Sequence, residues 1–268
     1  MKTNLASGPV LLAVCAALAG AAGPGRAGPA VTVRRAPDGG IQPQAAVDGR
    51  GTLHLIYFKG DPRAGDLFYV RRESGKDHFS KPLRVNSRPG SAVAVGSVRG
   101  GQLALGKDGR VHVAWNSSGK TGTPEHFPMF YARLNDAGTA FEGQRDLMRA
   151  SGILDGGGTV AADGAGNVYV AWQGLARGGK RGEENRRPWV ARSTDGGKTF
   201  SREAPAWETA TGACACCSTR AFADRKGNVY FLYRGANEGV LRDAYLLVST
   251  DRGKSFRGAL LQRWKVTA

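Results

Sequence analysis

The chain has 268 residues, 40 of them glycine, and is only 8% aromatic; this suits many short strands joined by tight turns and argues against long helices. A net charge of +16 attracts anions such as lipid headgroups, acidic glycans and nucleic acid. No run of five or six like charges occurs and no nucleic-acid-binding motif is present, so no nucleic-acid partner is expected. Beyond the N-terminus nothing approaches the roughly 20 apolar residues that span a bilayer.

In chain order, residues 1–29 read as an export signal and linker. Lys2 supplies the positive start, residues 10–19 are apolar, and small residues over 20–30 offer a cleavage point after Ala21. Val14 stands where lipid attachment at Cys15 needs a small residue, so release to the periplasm or cell exterior is expected. An uncleaved anchor is the alternative. The mature chain is expected to carry no transmembrane span.

From residue 30 the sequence repeats itself four times, and a repeat of this length governs the fold. A glycine turn opens an apolar strand at Gly51, Gly109, Gly166 and Gly227, spaced 58, 57 and 61 residues apart. Asp48, Asp163 and Asp224 stand three positions before the glycine in three copies; the second has Gly106 there. A turn motif closing on Phe79, Phe141, Phe200 or Phe256 follows, and these are 62, 59 and 56 residues apart. Tyr69, Tyr131, Val190 and Leu246 each precede their phenylalanine by ten residues. Two columns in step predict an all-β propeller of four-stranded antiparallel blades at about 41–98, 99–156, 157–215 and 216–268. The innermost strands are expected at 42–47, 101–106, 158–162 and 219–223. The second strands are apolar at nearly every position, as in sheets covered on both faces.

In the turn motif, aspartate accepts backbone N–H bonds, glycine supplies positive φ, and the aromatic closes on its own hairpin. Asp136, Asp195 and Asp251 are therefore read as structural. The boxes at 193–200 (Ser-Thr-Asp-Gly-Gly-Lys-Thr-Phe) and 249–256 (Ser-Thr-Asp-Arg-Gly-Lys-Ser-Phe) resemble the Asp-boxes of the sialidase (neuraminidase) superfamily, the BNR-repeat proteins. The resemblance covers residue 41 onward and implies six blades. At this period six blades take on the order of 360 residues, so four copies suggest part of a larger ring, with residues 30–36 as a loose strand of its last blade. Closure with four is the alternative.

The resemblance also implies a carboxylate-binding arginine triad, an aspartate acid/base and a glutamate-assisted tyrosine nucleophile. Ile41-Gln42-Pro43 stands where the first arginine belongs, and Arg35 comes about six residues too early. Asp61 and Asp66 follow the first glycine-led strand as candidates for the acid/base, or as plain turn residues. Arg234 and Arg242 fit the arginines that end a second strand and begin a third, with Arg234 as the second carboxylate-binding arginine or as a plain solvated strand end. The third arginine and the tyrosine belong to later blades, and cysteines occupy the region of the glutamate. From the residues alone, Gln44, Gln102, Thr159 and Arg220 form a polar column seven positions before each anchor glycine, a candidate ring for ligand or water.

Cys214, Cys216 and Cys217 lead into the fourth inner strand. In an exported chain a disulfide is expected, with soft-metal binding or a free or redox thiol as alternatives. No cofactor is expected. Three functions follow: a sialidase-like glycosidase acting on an anionic sugar, a non-catalytic propeller binding a glycan or a protein on its channel face, and a redox or metal-linked role of the cysteines. An acidic glycan or other anionic ligand is the expected partner.

Overall fold

A computed structural model of the protein describes residues 31–96, 98–123, 126–154 and 156–266; the expected export signal lies outside them. Four turns set where the second strands begin. Asp48 accepts the N–H groups of Arg50 and Thr52 at 2.9 and 2.8 Å. Asp163 does the same for Ala165 and Asn167, and Asp224 for Lys226 and Asn228. These side-chain bonds imitate a backbone turn.

The first blade is β1 (Ile41–Val47), β2 (Leu53–Asp61), β3 (Ala64–Arg72) and β4 (Leu83–Arg84). The second is β5 (Gln102–Leu105), β6 (Val111–Asn116), β7 (Met129–Arg133) and β8 (Arg145–Asp146). A short β9 (Ser151–Gly152) joins the third blade of β10 (Thr159–Ala162), β11 (Val168–Ala176), β12 (Arg187–Ser193) and β13 (Ala204–Pro205). The fourth is β14 (Arg220–Ala223), β15 (Val229–Arg234), β16 (Ala244–Ser249) and β17 (Arg257–Gln262). Every blade is antiparallel in sequence order, and the register repeats. Gln44, Gln102, Thr159 and Arg220 pair with Ile56, Ala114, Ala171 and Leu232. Those residues pair in turn with Tyr69, Tyr131, Val190 and Leu246. Residues 31–36 form no strand, in contrast to the strand expected there.

Alternate side chains leave a strand on opposite faces, so each central sheet feeds two cores. Val113 and Trp115 join Ile56, Phe58 and Tyr69 of the first blade. Ala114 and Tyr131 meet Val170 and Trp172 of the third. Tyr169 and Ala171 in turn meet Phe231 and Tyr233 of the fourth. Burial on both faces explains why these strands read as continuously apolar. The first and fourth sheets differ, with Val47 and Phe222 each 63% exposed and Leu261 56%.

The boxes hold as turns. Asp195 accepts bonds from the Ser193 hydroxyl at 2.7 Å, the Thr199 N–H at 2.9 Å and the Thr199 hydroxyl at 2.6 Å. Asp251 repeats the set with Ser249 and Ser255. Asp136 is the correction: Asn135 accepts the Thr139 N–H in the second blade, while Asp136 is exposed and pairs with Arg110. The turn there is six residues from acceptor to aromatic instead of five. Phe141 and Phe200 also pack across blades, edge-on to Tyr69 and Tyr131 of the preceding sheet, whereas Phe79 packs by Tyr57 and Val70 of its own blade and Phe256 stacks on Phe231 of its own. Asp195→Ala is expected to lower the unfolding free energy by about 1–2 kcal/mol in urea titrations, and Asp136→Ala by less than about 0.5 kcal/mol.

Candidate functional site

Antiparallel order brings the starts of inner strands and the ends of second strands to one face, since Ile41 pairs with Phe58. The boxes follow the third strands and lie on the other face. Asp61, Gln102, Arg220, Arg234 and the cysteines therefore share one face of the propeller.

A cleft of about 560 Å³ opens there between the first two blades. Val93, Val95, Phe127 and Leu154 give it an apolar lining, and Arg63, Arg99 and Lys120 bring positive charge. Asp61 is the carboxylate among its described lining residues, and Asn116 and Ser117 add polar groups. Ser117 Oγ is buried without a hydrogen-bond partner among the described residues. Asn116 is held by donating to Gly156 O at 2.7 Å.

Asp61 sits in this cleft and also accepts the Arg63 N–H at 2.9 Å, so it is a turn residue with an exposed carboxylate. Asp66 is engaged otherwise: one oxygen accepts from Asn86 Nδ2 at 2.6 Å and Gly90 N–H at 2.7 Å, clamping the loop that follows β4. In the polar column, Arg220 of the fourth blade donates to Gln102 Oε1 of the second at 2.9 Å, and the Ala221 N–H donates to Thr159 Oγ1 at 3.0 Å. These groups tie inner strands together. Gln44 is half-buried.

Arg234 and Arg242 lie on the fourth blade, away from the Asp61 cleft. Arg242 donates to Glu183 Oε2 at 2.9 Å. Arg234 stacks 4.0 Å above the Trp264 ring and donates to Cys217 Sγ at 3.5 Å. The cysteines are free thiols, whereas a disulfide was expected. Cys214 Sγ is 3.2 Å from Cys216 Sγ and 3.1 Å from Cys217 Sγ, non-bonded distances well beyond the roughly 2.05 Å of a disulfide. Burial works against ionising Cys214, but hydrogen bonds from Cys217 and Cys216 outweigh it and lower its pKa. Burial, with the bond to Cys214, pushes Cys217 up to about 12.

Sequence reasoning missed Arg63, Arg99, Lys120 and Ser117, because isolated residues in separate loops carry no period. It also missed Glu183, which anchors the cysteine turn by accepting the Ala215 N–H at 2.8 Å.

No family model matches the sequence, and no curated protein does. Solved structures do match it. An alpha-L-arabinanase of Penicillium chrysogenum, complexed with arabinobiose, is 14% identical with a TM-score of 0.53, over 82% of this chain and 65% of that one. An ulvan lyase bound to -[GlcA(1-4)Rha3S]- is 13% identical, TM-score 0.52, over 83% and 56%. The Trypanosoma rangeli sialidase, in complex with the inhibitor DANA, is 14% identical, TM-score 0.52, over 81% and 37%. The fold is a sialidase-like β-propeller, one shared with glycan-active enzymes of several activities. The chain spans less than two thirds of the length of each of these three proteins. No helix among the described residues is long and apolar enough to cross a membrane.

Proposed function

We propose that the protein is an exported sialidase-like propeller that binds an acidic glycan in the cleft between its first and second blades. The observation that carries this reading is the cleft lining: Arg63, Arg99 and Lys120 around apolar walls, with the Ser117 hydroxyl inside, unpartnered among the described residues. Guanidinium groups meet carboxylates and sulfates with paired hydrogen bonds, and an apolar wall suits a sugar's C–H face. Among the similar structures, the ulvan lyase is bound to a sugar carrying glucuronate and sulfate, which supports the same class. Residues 1–29 support export through their composition.

Calorimetry with the full chain tests this. Uronate-bearing and sulfated oligosaccharides are expected to bind, more weakly as salt rises, and neutral arabino-oligosaccharides are not. Arg63→Ala and Lys120→Ala are each expected to weaken binding by about tenfold, or ~1.4 kcal/mol. Equal binding of neutral sugars, or no response to either substitution, overturns the reading.

The second reading is hydrolysis, with Asp61 as the acid; it is favoured by the exposed carboxylate within the cleft. Glycosidases commonly work with two carboxylates, and the described lining brings one. Release of sialic acid from a fluorogenic substrate, lost on Asp61→Asn, would establish an enzyme.

A further inference from the structure

We propose that Cys214, Cys216 and Cys217 form a binding site for one monovalent copper ion, a function separate from glycan binding. Three sulfurs meet in one turn, where the Cys217 N–H donates to Cys214 O at 3.3 Å. Their mutual distances are 3.1, 3.2 and 3.9 Å. With a metal–thiolate distance of about 2.3 Å, as for zinc, a flat three-sulfur site has edges of about 4 Å. One edge already matches, and the other two need to open by less than about 1 Å.

The turn is held in place from three sides. Cys214 N–H donates to Arg234 O at 2.9 Å, and Ala215 N–H donates to Glu183 Oε1 at 2.8 Å. Gly156 lies so close that a Cβ there would stand 2.9 Å from Ala215 O and 3.0 Å from Cys217 O. Donors fixed before the ligand arrives lose little freedom on binding. Cys214 is buried and Cys216 exposed, so an ion can enter from solvent at Cys216 and be held from within by Cys214.

The donor set selects the ion. Thiolates favour soft metals, copper(I) and zinc among them, and zinc structural sites take four ligands. The neighbouring carboxylate, Glu183, has each oxygen engaged, one by Ala215 N–H and the other by Arg242. Three sulfurs alone suit the lower coordination of copper(I). Binding displaces three thiol protons to solvent and leaves a net charge of −2 on the ion and its ligands. The Arg234 guanidinium, beside Cys217 and fixed on Trp264, faces that charge.

The test is titration of the full chain, reduced and free of oxygen, with copper(I) against a chromophoric copper(I) chelator. One equivalent is expected to bind, with ultraviolet thiolate-to-copper absorption and three sulfurs by X-ray absorption. Zinc is expected not to displace it. Cys216→Ser, at an exposed position, is expected to weaken binding by roughly 100-fold, and Cys217→Ser similarly, with unchanged circular dichroism. Less than a tenth of an equivalent bound to fully reduced protein overturns the proposal. So does undiminished affinity in both variants, or displacement of copper(I) by an equal amount of zinc.

Discussion

Gly197→Val is expected to lower the unfolding free energy by more than about 3 kcal/mol. Gly197 is the second glycine of the third-blade box, with φ at +79°, and a Cβ there would overlap Tyr131 Oη. A β-branched residue in left-handed backbone costs about 1–2 kcal/mol, and overpacking a tight contact adds about 1–3. The clash strikes a second bond as well, because Tyr131 Oη lies 2.7 Å from His112 Nδ1 in the buried interface of the second and third blades. Gly253 holds the same place in the last box: its φ is +73°, and a Cβ would meet Tyr169 Cε1 at 2.6 Å. Gly164→Ala is the control, with ordinary φ and nothing within 4 Å, expected to stay within about 0.5 kcal/mol. Urea unfolding followed by tryptophan fluorescence reads both variants. A loss below about 1 kcal/mol for Gly197→Val would mean that the box is not seated on the neighbouring blade as described.

The contact also shows which features of the fold can be read from residues in a line. Anchor glycines and box aromatics repeat because each blade solves the same local problem, a turn and a hairpin, and local solutions leave local signatures. That is why the column from Gln44 to Arg220 and the partners at Tyr69 to Leu246 have one register in all four sheets. What the boxes pack against was not legible. Phe200 lies within a hairpin in sequence but packs on Tyr131 of another blade, and nothing between the two residues encodes that contact. Asp136 differs for a related reason: the second-blade turn is one residue longer, so Asn135 takes the place of the accepting aspartate.

The candidate site divides along the same line. The cysteines stood out because all three ligands sit in one turn. The cleft did not, because residues near 61, 93, 99, 117 and 154 meet only when two blades pack. Chemistry suggested by resemblance fared according to what surrounds each group. Asp66 and Arg242 are occupied by Asn86, Gly90 and Glu183, so both act as braces on the site face. Asp61 keeps an exposed carboxylate in the cleft, and Arg234 faces the thiols. The face thus carries two separate chemistries, a cationic cleft on the early blades and a sulfur cluster on the last.

Acid is expected to destabilise the protein well before its carboxylates titrate, because of one histidine. His112 is 1% exposed; burial, then the Arg110 and Arg133 charges, lowers its pKa to about 3. In the unfolded chain it titrates near 6.5. Between those values the unfolded state holds a proton that the folded state does not, so stability is full above about pH 6.5 and falls as pH drops towards 3. The slope from this group approaches about 1.4 kcal/mol per pH unit. His54, whose pKa burial also lowers against the pull of Asp48, adds to it in the same direction. Asp195 acts later: burial opposes its ionisation, but the Thr199 and Ser193 bonds prevail and hold it at about 2. Its contribution is present above about pH 4 and is lost as pH falls through 2. Urea unfolding between pH 6.5 and 5 isolates the histidines. His112→Gln, which keeps a hydrogen-bonding group opposite Tyr131, is expected to be less stable at pH 7.5 but to lose most of the slope. An unchanged slope in that variant would show that His112 takes up its proton in the folded protein, and that the second and third blades open to water at their interface.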